Sequence, residues 1–233
     1  MPAPLSVIIP TLNAAHVLPE TLAALMEGVD AGVIRELVIS DGGSEDATIA
    51  IAEEAGGRVL TGSRGRGAQL RQAAEAARGD WLLLLHADTW LSPGWTDAVT
   101  SHMAGSGESV GYFRLAFRAR GIFPRLVAEW ANLRSRLFGL PYGDQGLLIH
   151  RDLLERIGGV PPLDLMEDVA LVRALKGRLL SLPAVALTSA ERYEQDGWIR
   201  RGARNLWTLI RYLLGADPAK LARDYARSSA SRN

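Results

Sequence analysis

Short apolar runs alternate with stretches of helical period through the first hundred residues. Leu5 to Ile9 reads as a strand and His16 to Glu27 as a helix; Glu36 to Ser40 is strand-like and Glu45 to Glu54 helical. Arg58 to Thr61, Gly67 to Arg78, Trp81 to Leu85 and Gly94 to Met103 continue with strand, helix, strand and helix. Runs such as Trp81 to Leu85, apolar at every position, are those of strands covered on both faces. Strands separated by helices pair in parallel through right-handed crossovers. The pattern predicts an α/β fold with a mostly parallel central sheet flanked by helices.

After about residue 105 the rhythm changes. Val110 to Arg118 reads as an edge strand, Pro124 to Phe138 as an amphipathic helix, and Gly146 to His150 and Arg178 to Leu187 as further strands. Gly158-Gly159-Val160-Pro161-Pro162 is a loop, because paired glycines and prolines sustain neither a helix nor a central ladder. No repeat or long linker interrupts the chain, so one domain over 1–233 is expected, with helices from about 191 and fraying over Ser228 to Asn233.

A chain of 233 residues, 48% hydrophobic and 22% charged, is long enough for one sizeable core. Its 26 basic and 26 acidic side chains cancel, which gives no global field for nucleic acid. The absence of cysteine excludes disulfides and thiolate metal sites, leaves His, Asp and Glu as metal ligands, and fits a cytoplasmic location. No leader is legible before Leu5, and no apolar stretch approaches the roughly 20 residues of a spanning helix.

Candidate chemistry gathers where strands end, the edge at which open α/β sheets bind ligands. The first strand runs into Pro10-Thr11-Leu12-Asn13, where proline ends the ladder and the polar residues either grip a ligand or serve as turn and cap. The second ends in Ser40-Asp41-Gly42-Gly43-Ser44, with Asp41 placed to accept from a base or a ribose and Gly42 allowing close backbone approach. Ser44 there suggests the next helix's N-cap. The loop Gly62 to Gln69 carries Arg64 and Arg66 into a helix N-terminus, which reads either as an anion site or as an exposed, flexible basic loop. It lacks the Gly-Lys-Ser/Thr ending of a Walker A loop.

The fourth strand delivers His86 and Asp88, which on an extended backbone would point to one side, as binding a divalent cation requires. Asp164 and Glu167 have the spacing of a capping box, which leaves Asp168 either as a general base or as a solvated first-turn acid.

In this order and spacing the segments Val7 to Asn13, Val38 to Asp46, Ala77 to Asp80 with His86-Ala87-Asp88, and Glu167-Asp168 resemble the family 2 inverting glycosyltransferases of GT-A fold, over roughly residues 5 to 180. Within that family, His86-Ala87-Asp88-Thr89 looks closest to a small subgroup associated with radical-SAM, selenium or arsenosugar pathways. The resemblance implies a nucleotide-diphosphate sugar donor, most often a uridine one, and a divalent cation, Mn2+ or Mg2+. It implies a nucleotide-sugar half to about 105, an acceptor and catalytic half over about 106–190, and a helical segment from about 191 to 233. Pro10, Thr11, Asn13, Asp41, Gly42, Arg66, Gln69, Ala87 and Asp88 would then line the donor site. Asp88 and His86 stand at the metal motif, and Glu167 and Asp168 at the catalytic one, with Asp168 the base. His86 replaces the usual first acid of Asp-x-Asp, and no Gln-x-x-Arg-Trp follows Asp168, which implies a single transfer.

Asp144 and Gln145 in Tyr142-Gly143-Asp144-Gln145-Gly146 either line the acceptor pocket or form a satisfied polar turn. The stretch 198–214 mixes Trp, Tyr, Leu and Arg, suiting a peripheral membrane contact or a partner helix, although packing onto the catalytic domain is the expectation. The acceptor is a small molecule or lipid-linked, and a homo-oligomer is compatible with the chain. A sugar nucleotidylyltransferase is the enzyme alternative, but neither an activating lysine nor a glycine-rich loop stands at the first strand–helix turn. A catalytically silent nucleotide-sugar-binding module is the other.

Overall fold

The computed structural model describes residues 3–62 and 64–230. Among these residues eight strands form one sheet in the order β3-β2-β1-β4-β7-β6-β8-β5. The parallel half consists of β1 (Leu5–Thr11), β2 (Ile34–Asp41), β3 (Arg58–Thr61) and β4 (Trp81–Leu84). Helices α1 (Leu18–Asp30), α2 (Thr48–Glu54) and α3 (Arg66–Ala76) make the crossovers.

Period-two packing explains the unbroken apolar strands. Val7, Ile9, Leu83 and Leu85 face one cluster with Trp95, while Ile8, Leu82 and Leu84 face another with Leu70 and Leu171. Both faces are covered, so no position along these strands can be polar without a partner. Pro10 does not end the ladder, since β1 runs on to Thr11, paired with Asp41. Ile8 bonds toward β4 through its carbonyl to Leu85 N, and Pro10 faces the same way two residues later, beyond the end of β4. Its missing N–H therefore costs no sheet bond.

The second half of the sheet is mixed. The order along the chain is β5 (Thr89–Leu91), α4 (Trp95–Met103), β6 (Val110–Phe117), α5 (Ile122–Phe138), β7 (Leu147–His150), α6 (Arg151–Arg156), α7 (Glu167–Ala174) and β8 (Leu179–Thr188). β7 runs antiparallel between β4 and β6, and β6 pairs in parallel with β8. β6 is thus internal, not the edge expected for it, and the edge is the three-residue β5, antiparallel to β8. The helices α8 (Glu191–Asp196), α9 (Trp198–Leu213) and α10 (Pro218–Ala230) close the chain. Of the segment expected to fray, 228–230 is helical and 231–233 lies outside the described residues.

Two helices start later than their sequence suggests. Pro19 sits in the first turn of α1, where its fixed φ is already helical and no amide is needed, so α1 begins at Leu18. Thr48 N and Oγ1 both bond to Asp46 Oδ1, at 3.0 and 2.5 Å, which holds 46–47 outside α2.

Candidate active site

The carboxyl ends of β1 and β2 are joined by a buried hydrogen-bond network. Asp41 Oδ1 accepts from Thr11 Oγ1 at 2.8 Å and Ser44 Oγ at 2.6 Å; Oδ2 accepts from Gly43 N at 2.9 Å and Ser44 N at 2.7 Å. Burial alone would raise this carboxyl, but the bonds from Ser44, Thr11 and Gly43 outweigh it and hold it below the usual carboxylate range. All four acceptor sites are used and the side chain is fully buried, so Asp41 shapes the loop instead of standing open to a base. Ser44 belongs to this network and caps no helix: its Oγ also accepts from Asn13 N at 2.7 Å.

Asn13, at φ 50°, turns its Oδ1 to Glu45 N at 2.9 Å, tying the two loops together. Gln69 is likewise internal, its Nε2 donating to Thr11 O and Ser40 O, each at 2.7 Å. Gly42 lies against that amide, and a Cβ there would meet Gln69 Nε2 at 3.2 Å. Of the residues expected to line the donor site, Thr11, Asp41, Gly42 and Gln69 are buried in this network, whereas Asn13 is exposed.

Between β4 and β5 the chain turns instead of extending, with Thr89 N bonding to His86 O at 3.2 Å. Ala87 O accepts from Thr21 Oγ1 at 2.7 Å, and Asp88 O from Ser189 N at 3.1 Å, so α1 and the end of β8 pin the turn. His86 and Asp88 both line a cavity of about 220 Å3, reached also by Arg66, Asp144, Glu167 and Asp168. The two side chains share that wall on a backbone that turns, where an extended strand was expected.

His86 is half-buried in the wall of that cavity. Its Nε2 packs on Gly143, where a Cβ would lie 2.4 Å away. Burial, and then Arg66 and Arg192, hold the imidazole well below its ordinary pKa, so it is neutral.

The opposite wall is the 142–145 turn and the start of α7. Asp168 Oδ2 accepts from Gly143 N at 2.8 Å and Oδ1 from Val169 N at 2.7 Å, which joins the turn to the helix. Met166, immediately before α7, has φ 66°, an unfavourable region for a residue with a Cβ. That kink replaces the capping box expected of Asp164 and Glu167. Glu167 is only 2% exposed and meets Arg66 Nη1 at 3.4 Å across the site. Burial first and Asp168 second push its carboxyl up to about 7, with Arg66 opposing.

Asp144 is pushed up to about 6, by burial and then by Asp168 and Asp88, against the pull of Arg134 and Arg66. Its Oδ1 is buried with no hydrogen-bond partner. Gln145 is turned away from the cavity, accepting from Ser135 Oγ at 2.6 Å and donating to Phe113 O at 3.1 Å. The paired expectation for Asp144 and Gln145 therefore divides: the acid faces the cavity and the amide fastens the turn to α5 and β6.

Among the described residues no three His, Asp or Glu side chains converge to hold a metal ion. Asp88 and Asp144 nevertheless face one cavity, and the unpartnered Asp144 oxygen suits a hard cation that takes one or two carboxylates and completes its shell with phosphate and water.

Arg134, buried, donates from Nε to Leu140 O at 2.9 Å and stacks 3.5 Å from the Tyr142 ring centroid, so it braces the turn. The sequence offered little warning that α8 and α9 also wall the cavity, through Arg192, Tyr193, Arg201 and Asn205. Its one signal was aromatic: Tyr193 and Trp198 flank the break at Gly197 and stack at 4.9 Å, both edge-on to Phe117.

A family model described as glycosyl transferase family 2 matches residues 6–142. Among solved structures, glucosyl-3-phosphoglycerate synthase from Mycobacterium tuberculosis is 21% identical with a TM-score of 0.57, covering 80% of this chain and 70% of that one. A mycobacterial protein is 24% identical with a TM-score of 0.56, covering 80% and 65%. These likenesses are of fold, the GT-A fold of nucleotide-sugar transferases. A TPR repeat-containing protein from Synechococcus elongatus is 41% identical over 88 residues, 36% of this chain, which spans about a fifth (21%) of the length of that curated relative. The matches reach the family and not the smaller His-Ala-Asp-Thr subgroup. With more than half of its residues inside the family match, the chain belongs to glycosyl transferase family 2.

Proposed function

We propose that this chain is a metal-dependent inverting glycosyltransferase that moves one sugar from a nucleotide-diphosphate donor, a UDP-sugar, to a hydroxyl acceptor. The observation that carries the reading is the cavity at the carboxyl edge of the parallel strands, where Asp88 and Asp168 from opposite walls meet with Arg66 beside them. Complexes of the M. tuberculosis synthase with Mn2+ and UDP-glucose, or with Mn2+, UDP and glucosyl-3-phosphoglycerate, make a UDP-sugar and Mn2+ the first pair to try. The likeness of residues 86–89 to the small His-Ala-Asp-Thr transferases and the absence of cysteine are what support the finer reading, a member of that subgroup working in the cytoplasm.

In this reading Asp168 accepts the proton of the acceptor hydroxyl as that oxygen bonds to the anomeric carbon. The bond from that carbon to the diphosphate oxygen breaks on the opposite face, so configuration inverts and UDP leaves. Gly143 N and Val169 N hold the Asp168 carboxylate in place for this. Asp88 and Asp144 are the residues that would hold a divalent cation, which would supply charge neutralisation to the leaving diphosphate. Arg66 adds positive charge at the same end, and the buried Glu167 keeps its guanidinium turned into the site. Asp41, Thr11 and Gln69 act indirectly, by stiffening the loops that present Asn13 and neighbouring backbone to the nucleotide.

Incubation with Mn2+ and a panel of nucleotide sugars tests the assignment. Free UDP is the expected product, formed by transfer or slow hydrolysis. Release of pyrophosphate would indicate nucleotidyl transfer, and saturable binding without turnover a silent module. Asp168→Asn should lower turnover by roughly 10²- to 10⁴-fold with donor affinity retained; undiminished turnover would remove Asp168 as the base.

A further inference from the structure

Helix α5 is inverted relative to an ordinary surface helix. Its small residues Ala128, Ala131 and Ser135 pack inward, Ala128 and Ala131 beside Leu115 and Phe117 of β6, while Leu126, Trp130, Leu133 and Leu137 are exposed. Those four positions recur every three or four residues and form one stripe. Its neighbour α9 also exposes Ile199, Leu206, Trp207 and Ile210, so packing onto the domain, expected for 198–214, uses only part of that helix. Soluble monomers seldom leave contiguous apolar patches of this extent uncovered.

Charge identifies what covers the face. Helices α5 and α9 together carry seven arginines and one acid, Glu129, in a chain whose 26 basic and 26 acidic groups cancel. Arg201 and Arg204 pair with Asp196, and Arg211 with Asp224, but Arg125, Arg136 and Arg200 lie exposed beside the stripe. A second copy docking through the same face would set arginine against arginine. Apolar side chains bordered by arginine, with tryptophans among them, match the boundary between acyl chains and anionic headgroups. Trp130 and Leu206 belong both to this face and to the cavity wall, so the cavity opens onto it.

We propose that the α5–α9 face docks on an anionic lipid surface. Docking is peripheral: among the described residues no helix is long and apolar enough to cross a membrane. The inference does not depend on which reaction the cavity performs.

Co-sedimentation with vesicles of phosphatidylcholine containing phosphatidylglycerol tests it, with phosphatidylcholine alone as the comparison. The chain should bind the mixed vesicles, release from them as salt is raised, and bind the neutral ones far less. The double variant L126E/L137E should lose at least about tenfold in partitioning, since two leucines no longer enter the bilayer. Both side chains are exposed, so its circular dichroism and thermal midpoint should match the parent. Arg125→Gln with Arg200→Gln should weaken binding to the anionic vesicles specifically. Failure of the parent to bind mixed vesicles would overturn the proposal, as would equal binding by L126E/L137E. A dimer in sedimentation equilibrium that L126E/L137E abolishes, without vesicle binding, would reassign the face to a second copy.

Discussion

Glu167→Gln separates the stability of this fold from its chemistry. Glu167 is 2% exposed, and its carboxyl is raised from an ordinary 4.5 to about 7 by burial and by Asp168. Each pH unit between unfolded and folded values is worth about 1.4 kcal/mol, so the interval amounts to about 3 kcal/mol. Between those two values the native chain holds a proton that the unfolded chain has released. Stability from this group is therefore complete below about pH 4.5 and lost as pH rises through about 7.

The amide keeps the shape and never ionises. Glu167→Gln should lie close to the parent at pH 5 and exceed it at pH 8 by about 3 kcal/mol, the opposing pull of Arg66 being already contained in the value of about 7. Urea unfolding at both pH values measures this, and the midpoint gap at pH 8 should be on the order of 1 M. The same variant should transfer sugar more slowly, because Arg66 loses the carboxylate that orients it. A variant equal to or less stable than the parent at pH 8, with the same offset at pH 5, would show that the ion pair outweighs burial and refute the reasoning.

Gln69→Ala removes the hydrogen bonds to Thr11 O and Ser40 O at the ends of β1 and β2, and leaves Thr11 O only its bond from Gly42 N at 2.9 Å. The expected loss is about 2–4 kcal/mol, a drop of roughly 5–10 °C in thermal midpoint, and an unchanged melting curve would count against a structural role. Gly143→Ala would place a Cβ 2.4 Å from His86 Nε2 and disturb the amide that holds Asp168. It should cost about 1–3 kcal/mol and turnover together; a crystal structure of the variant with His86 unmoved would contradict the packing argument.

The parallel half of the sheet was legible because its signal is local. Strands buried on both faces must be apolar at every position, and each is bounded by its own crossover helix, so β1 to β4 could be read within a residue or so at most ends. Their polar ends were legible for the same reason. The errors came where a side chain's partner lies far along the chain. Asp41 looked open to a ligand because nothing near it in sequence shows Thr11 donating to it, and Glu167 looked like a cap because Arg66 is 101 positions away. Asp144 and Gln145 are adjacent and similar in character, yet Ser135 and Phe113 take one inward while the other faces the cavity.

By itself, then, the amino-acid sequence determined the α/β class, the positions of the parallel strands and the clustering of acids and arginines at their ends. These follow from burial period and turn chemistry, which act over a few residues. Only the tertiary structure decided the order of the mixed half, the use of Asp41 and Gln69 as framework, the pairing of Glu167 with Arg66, and the outward apolar face of α5. Each of those depends on which distant element occupies the space beside a residue. An amphipathic pattern states that a helix has two faces; the packing of Ala128 and Ala131 beside Leu115 and Phe117 settles which one the protein buries.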